Sequence, residues 1–256
     1  MHMNTFANIS MRALVIAAVL AVVGAAALSR AAAPGITFAL ENDIVLTIGS
    51  RAFFNGLPVP SSTWALKDLA PTADKFFNLG GVMPGDSGTA TITMHVAGRQ
   101  SAWLCLDFVN FQKHRGLADG TQFFAWRDNG DGIFTPSEQP IFGTTTRAAS
   151  SVLNGKTYAI ADSTTGQALP IGSTRSVGVE WCAGHLVVGP AGLFSCLGSA
   201  LGNEAQRDSF SVDVAMRAVS AREQPAFACS GGESGEGRPP RDVRPPRPER
   251  PPRPTR

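Results

Sequence analysis

FFNLGGVMPGDSGTATITMHVAGRQSAWLCLDF, residues 76–108, is the stretch that decides the fold. Pro84-Gly85-Asp86 is a tight-turn tripeptide, in which proline presets φ and glycine is free to take φ > 0. After it the side chains alternate. Ala90, Ile92, Met94 and Val96 point one way, and Thr89, Thr91, Thr93 and His95 the other. This pattern predicts a half-buried strand with one face in a core and one in solvent. A second, more deeply buried strand is expected over 102–108, where leucines, aromatics and Cys105 crowd together.

The same alternation recurs outward in both directions. Upstream, 36–40 and then 43–48 read as extended, with Ile44, Leu46 and Ile48 on one face. Residues 51–73 carry Pro58, Pro60 and Pro71 and read as loop, with Trp64 and Leu66 as anchors. Downstream, 112–122 is polar and reads as a surface loop. Phe123, Phe124 and Trp126 form a short aromatic strand, and 144–153 suits a short helix. Asn154-Gly155 is a strong hairpin-turn signal ahead of a strand at 157–161. Two alternating runs follow. In 175–182, Val177, Val179 and Trp181 share a side. In 209–219, Phe210, Val212, Val214, Met216 and Ala218 face inward, with Ser211, Asp213 and Arg217 outward. Some eight strands with irregular loops and little helix predict an all-β, antiparallel sandwich of jelly-roll type over residues 34–229.

Residues 1–33 read as a signal peptide and a short N-terminal segment. Arg12 precedes sixteen apolar residues, 13–28, fewer than the ~20 that span a bilayer. Ala25-Ala26-Ala27 and Ala31-Ala32-Ala33 are both candidate cleavage sites. An exported chain with four cysteines implies two disulfides, for which the sequence allows three connectivities. Cys182 and Cys196 flank a short apolar segment around Gly189-Pro190, which favours a strap between them. Cys105 then ties a core strand to Cys229, at the end of the folded region.

The charge of +2 conceals a division. Residues 238–256 hold seven arginines against Asp242 and Glu249, a net of +5, and Arg12 and Arg30 add two more. The 207 residues between therefore carry −5. In the tail an arginine falls at every third position: Arg238, Arg241, Arg244, Arg247, Arg250, Arg253 and Arg256. Polyproline II has three residues per turn, so these side chains line one edge, about 9 Å apart. Residues 230–256 have almost nothing to bury and read as a disordered Pro/Arg-rich segment. One reading is a solubilising extension. The other is a cationic ruler for a cell-wall polymer, anionic lipid or extracellular DNA.

Six stretches carry a family resemblance. A leucine-containing strand, "MPGDSG" at 83–88 and a threonine-rich strand are similar to the "LKPGD" signature of the TasA/CalY (camelysin-like) family of secreted β-sandwich proteins. Thr37-Phe38-Ala39 followed by Leu46 resembles that family's first strand. "GVEWC", "GNEAQRDSFSVDV", "AFAC" and the "DNGDG" loop resemble its larger, cysteine-bearing members. The resemblance covers about 37–229. It implies a subunit of extracellular biofilm fibres that assembles by donor-strand complementation, the donor being 28–40 if cleavage follows Ala27.

Enzyme motifs are scarce. "GDSG" at 85–88 matches the serine-protease nucleophile motif, but the only earlier histidine is His2. Camelysin's metalloprotease label calls for HExxH-type spacing, and His95, His114 and His185 have no histidine four residues away. No P-loop or dinucleotide fingerprint is present, and no enzymatic activity or small-molecule substrate is expected. The best candidate for bound chemistry is calcium at Asp128, Asn129, Asp131 and Glu138. In an EF-hand-like numbering Glu138 takes position twelve, but Arg127 stands at position one. The same residues also make a metal-free Asn/Asp/Gly turn. The expectation is thus a secreted, self-associating structural protein. The alternative is a monomeric cell-surface binding module, calcium-dependent and attached through its basic tail.

Overall fold

A computed structural model describes residues 37–40, 43–68, 76–202 and 207–230. The signal-like segment and the arginine-bearing tail lie outside them. The described strands are β1 (Thr37–Leu40), β2 (Ile44–Phe54), β3 (Leu57–Pro58), β4 (Trp64–Lys67), β5 (Phe77–Gly80), β6 (Ser87–Gly98) and β7 (Ala102–His114). They continue as β8 (Thr121–Asp128), β9 (Arg147–Ala148), β10 (Thr157–Ala161), β11 (Thr174–Ala183), β12 (His185–Val188), β13 (Phe194–Leu197) and β14 (Ser209–Ser220). Two one-turn helices, Leu117–Gly120 and Ala149–Val152, sit between strands.

The strands build an all-β sandwich. One sheet runs β1-β14-β7-β10, with β5 also on β14. The other runs β3-β2-β6-β11-β8-β9, with β4 on β2. Every alternating run turns its apolar side inward. Ile92 and Met94 of β6, Val177 and Val179 of β11, Leu104 and Leu106 of β7, and Val214 and Met216 of β14 are all buried. Alternation works here because a strand's successive side chains leave opposite faces and only one face meets the partner sheet.

The outer faces are not simply solvated. On the first sheet, residues 221–230 run back over β7. Cys229 is bonded to Cys105, and the Trp103 indole Nε1 donates to the carbonyl of Gln224. On the second sheet, the β12–β13 hairpin and the loop after β8 cover an aromatic cluster of Phe124, Trp126, Phe134 and Phe194, with Leu186. The Cys182–Cys196 bond ties the hairpin down. The expected solvent face of β6 is therefore corrected at Thr91, which is buried.

Other local expectations also change. β2 continues through Arg51 to Phe54, where a loop was expected; Pro58 lies on the edge strand of its hairpin and Pro60 just after it, while Pro71 is outside the described residues. A proline tolerates such an edge, because there it owes the ladder no N–H. Leu66 is no anchor, being 46% exposed, whereas Trp64 packs on Phe76. β7 runs six residues past Phe108, and Leu117 and Ala118 of the expected loop are buried. Asp213 does leave the outward side of β14, but it is buried and accepts a hydrogen bond from Asn110 Nδ2.

Candidate functional site

The outer edge of β14 is shared by two short strands from distant parts of the chain. β5 pairs antiparallel with Ser209, Phe210, Ser211 and Val212. β1 pairs with Ala215 to Ala218 and runs parallel to it, the only parallel strand pair among the described residues. β14 is thus a twelve-residue strand, paired along the β7 side except at an irregularity around Val212, whose other edge is closed piecewise. Such an edge presents a row of backbone donors and acceptors that any extended segment can satisfy.

The acidic loop lies on the opposite sheet. All four predicted cation ligands come together there, but their oxygens face amides. Asp128 accepts from the Gly132 N–H, Asp131 Oδ1 from the Ile133 N–H, and Asp131 Oδ2 from Asn129 Nδ2. Glu138 accepts from Asn129 N–H on Oε1 and from Thr135 N–H on Oε2. Among the described residues no group of three or more His, Cys, Asp or Glu is arranged to hold a metal. In this conformation the donor set closes a turn and does not converge on a cation. Burial, and then the charges of Asp131 and Glu138, push the Asp128 carboxyl up. The amide of Ile133 and the side chain of Asn129 hold Asp131 below the usual carboxylate range. Gly132 is required for close approach: at φ +78, a Cβ there would stand 2.7 Å from both Arg51 Nη2 and Thr91 Oγ1. Arg51 Nη2 also donates to the Asp131 carbonyl, so the loop is pinned onto β2 and β6.

The remaining candidates scatter. Asp86 of the "GDSG" motif is consumed in the turn, accepting from Asn55 Nδ2 and the Met83 N–H. His95, His114 and His185 stand on three different strands. The cysteines form Cys105–Cys229 and Cys182–Cys196, the two pairs their positions suggest. Two disulfides indicate an oxidising compartment. No described helix is long and apolar enough to cross a membrane.

Comparison of the chain with protein-family models and with curated proteins finds no match.

Sequence reasoning missed two features. Glu180 lies on the outer face of β11, partly buried beside the aromatic cluster, and its Oε2 accepts from Thr89 Oγ1 at 2.6 Å. Burial pushes its carboxyl up to about 7, against the lowering effect of that hydrogen bond. The alternating pattern marks Glu180 as outward but gives no sign that the outside is covered. The second is a groove beside β5, lined by Phe54, Phe76, Phe77, Trp181 and two prolines. Its aromatic walls come from three separate segments, so no local motif announces it.

Proposed function

We propose that this protein is a secreted, non-enzymatic structural subunit of the TasA/CalY-like kind, a jelly-roll-type sandwich that assembles into extracellular matrix fibres by strand exchange. One observation supports the reading: a four-residue strand, β1, closes a third of the β14 edge in the parallel sense, and it is the last part of the segment expected to act as donor. Moving β1 from a subunit's own β14 to its neighbour's would conserve the main-chain hydrogen bonds and join the two. Repeated head to tail without closing, the contact generates a filament. The two disulfides suit an exported subunit. The arginine tail would then hold the fibre to a polyanionic cell-wall polymer, anionic lipid or extracellular DNA.

Electron microscopy of the exported protein, with its N-terminus determined by mass spectrometry, tests this. Filaments are expected from the native chain, and none from a variant lacking residues 28–40. Monomers from both would overturn it.

A second reading, a monomeric surface-binding module that uses calcium, is favoured by the meeting of Asp128, Asp131 and Glu138 in one loop, where the charges of the latter two help push the Asp128 carboxyl up. It predicts that calcium draws these carboxylates off their amides. Chelation would then lower the melting temperature, and Asp131→Ala would abolish the effect. An identical melt with and without chelator leaves the loop a hydrogen-bonded turn.

A further inference from the structure

Beside β5 and the β2–β3 hairpin lies a groove of about 620 Å³. Phe54, Phe76, Phe77 and Trp181 line it together with Pro58 and Pro60, and Leu57 of the lining is 70% exposed. None of the lining residues is Lys, Arg, Asp or Glu. Aromatic-lined grooves of this kind take polyproline II segments, which dock their prolines against the rings and lose little entropy because the helix is preformed.

The chain carries such a segment. With three residues per turn, the seven arginines of 238–256 fall on one edge. The second edge is Pro239, Asp242, Pro245, Pro248, Pro251 and Pro254. Five of these six are proline, and the last four form an unbroken Pro-x-x-Pro series. The third edge mixes Pro240, Val243, Pro246, Glu249, Pro252 and Thr255. As polyproline II the tail is amphipathic, with a charged edge and a proline edge. Prolines lack the N–H that a ladder needs, so the tail is no substitute for a β-strand on β5.

We propose that the proline edge of the tail, centred on Pro248 and Pro251, seats in the aromatic groove of its own domain and leaves the arginine edge outside. Reach and charge both point to this occupant. The last described residue, Ser230, lies at β14, where its carbonyl accepts from Arg217 Nη2. Phe77 of the groove pairs with Val212, five residues along the same strand, or about 17 Å away by strand rise. The linker 231–237, Gly-Gly-Glu-Ser-Gly-Glu-Gly, reaches about 23 Å when extended and the ten residues 238–247 span about 31 Å as polyproline II, so a linker that first leads away from the groove returns the tail to it at Pro248 and Pro251. Residues 31–230 hold 13 Lys and Arg against 16 Asp and Glu, a net of −3 that attracts a tail of +5. Tethering also makes docking intramolecular, at a local concentration in the millimolar range for a short flexible linker.

The test uses the full chain with a photo-crosslinking benzoylphenylalanine in place of Leu57, an exposed position whose replacement spares the core. Irradiation is expected to join position 57 to residues 245–254, read by mass spectrometry. Pro245, Pro248, Pro251 and Pro254 all replaced by serine should lower that yield at least fivefold, while seven Arg→Lys changes should leave it intact. In an equal mixture of ¹⁴N and ¹⁵N chains the products should carry one label only. Mixed-label products would overturn the intramolecular seat. Cross-links to 28–40, or none to the tail, would overturn the docking itself, as would loss of yield in the lysine variant with none in the serine variant.

Discussion

The two sheets cover their outer faces by different means, although each uses one disulfide. Over the first sheet lies a short coil, 221–230, held by polar contacts, by Ala221 and Phe227 against the core and by a bond that spans 124 residues. Asp162 gathers the coil's end, accepting from the Cys229 N–H on Oδ2 and from the Thr164 and Thr165 amides on Oδ1. Over the second sheet lies an apolar layer in its own right, where four aromatic rings pack within 4.9–6.3 Å of one another. Its disulfide closes a separation of only 14 residues. A covering with little apolar surface depends on its crosslink, whereas one with a hydrophobic cluster is fastened by the crosslink but not made by it.

The largest expected effect follows from loop length. Replacing Cys105 and Cys229 by alanine should cost about 5 kcal/mol in denaturant unfolding, since chain-entropy loss grows with the closed loop. The same change at Cys182 and Cys196 should cost about 3 kcal/mol. Equal losses would mean that the two straps do not differ in kind. Next comes the cluster itself. Trp126 is fully buried and lies across Gly178, where a Cβ would stand 2.2 Å from the indole ring. Trp126→Ala should cost ~3–5 kcal/mol and Gly178→Ala ~1–3 kcal/mol through overpacking. If Trp126→Ala costs less than breaking Cys182–Cys196, the crosslink and not the apolar layer holds the second covering.

The smallest effect separates the coverings by pH. Unfolded, Glu180 titrates near 4.5; folded, burial pushes it up to about 7. Between those values the folded chain keeps a proton the unfolded chain has lost, so stability falls as pH rises across the window. Glu180→Gln should remove that slope and raise stability above pH 7 by on the order of 2 kcal/mol. Asp162 acts oppositely. Burial pushes it up, but the hydrogen bonds from Thr164, Cys229 and Thr165 outweigh this and hold it below 3.8. Its contribution is present above pH 3.8 and is lost as pH falls through the lower folded value. Urea melts of the wild type, Glu180→Gln and Asp162→Asn from pH 3 to 8 check both; parallel curves would dissolve the contrast.

What was legible in the sequence is what one strand encodes by itself. The inward sets of β6, β11 and β14 follow from period two alone, because each needs only a buried and an unburied side. The cysteines were legible because their positions mark a strand, a hairpin and a domain end. Coverage of the outer faces was not legible, because the residues that bury Thr91 lie far along the chain. The continuation of β2 through Arg51 was obscured by the prolines after it, which sit where the hairpin leaves the ladder. Leu66 failed as an anchor because β4 is an edge strand, with Ala65, Leu66 and Lys67 all exposed. In the acidic loop, composition identified the residues that meet but not whether their oxygens face a cation or the loop's own amides.

The Cys105–Cys229 bond also determines how the molecule would carry a mechanical load. A pull on the tail enters the domain at residue 229 and passes through the sulfur bridge into the middle of β7, bypassing β14. The chain between the two cysteines, a separation of 124 residues, is shielded, so roughly 400 Å of contour cannot be drawn out while the bridge is intact. Stretched between its N-terminal segment and its tail, the chain can lengthen only through residues ahead of Cys105. The first sheet's central strand becomes the anchor point, and overload would strip β1 to β6 before it touched β8 to β14.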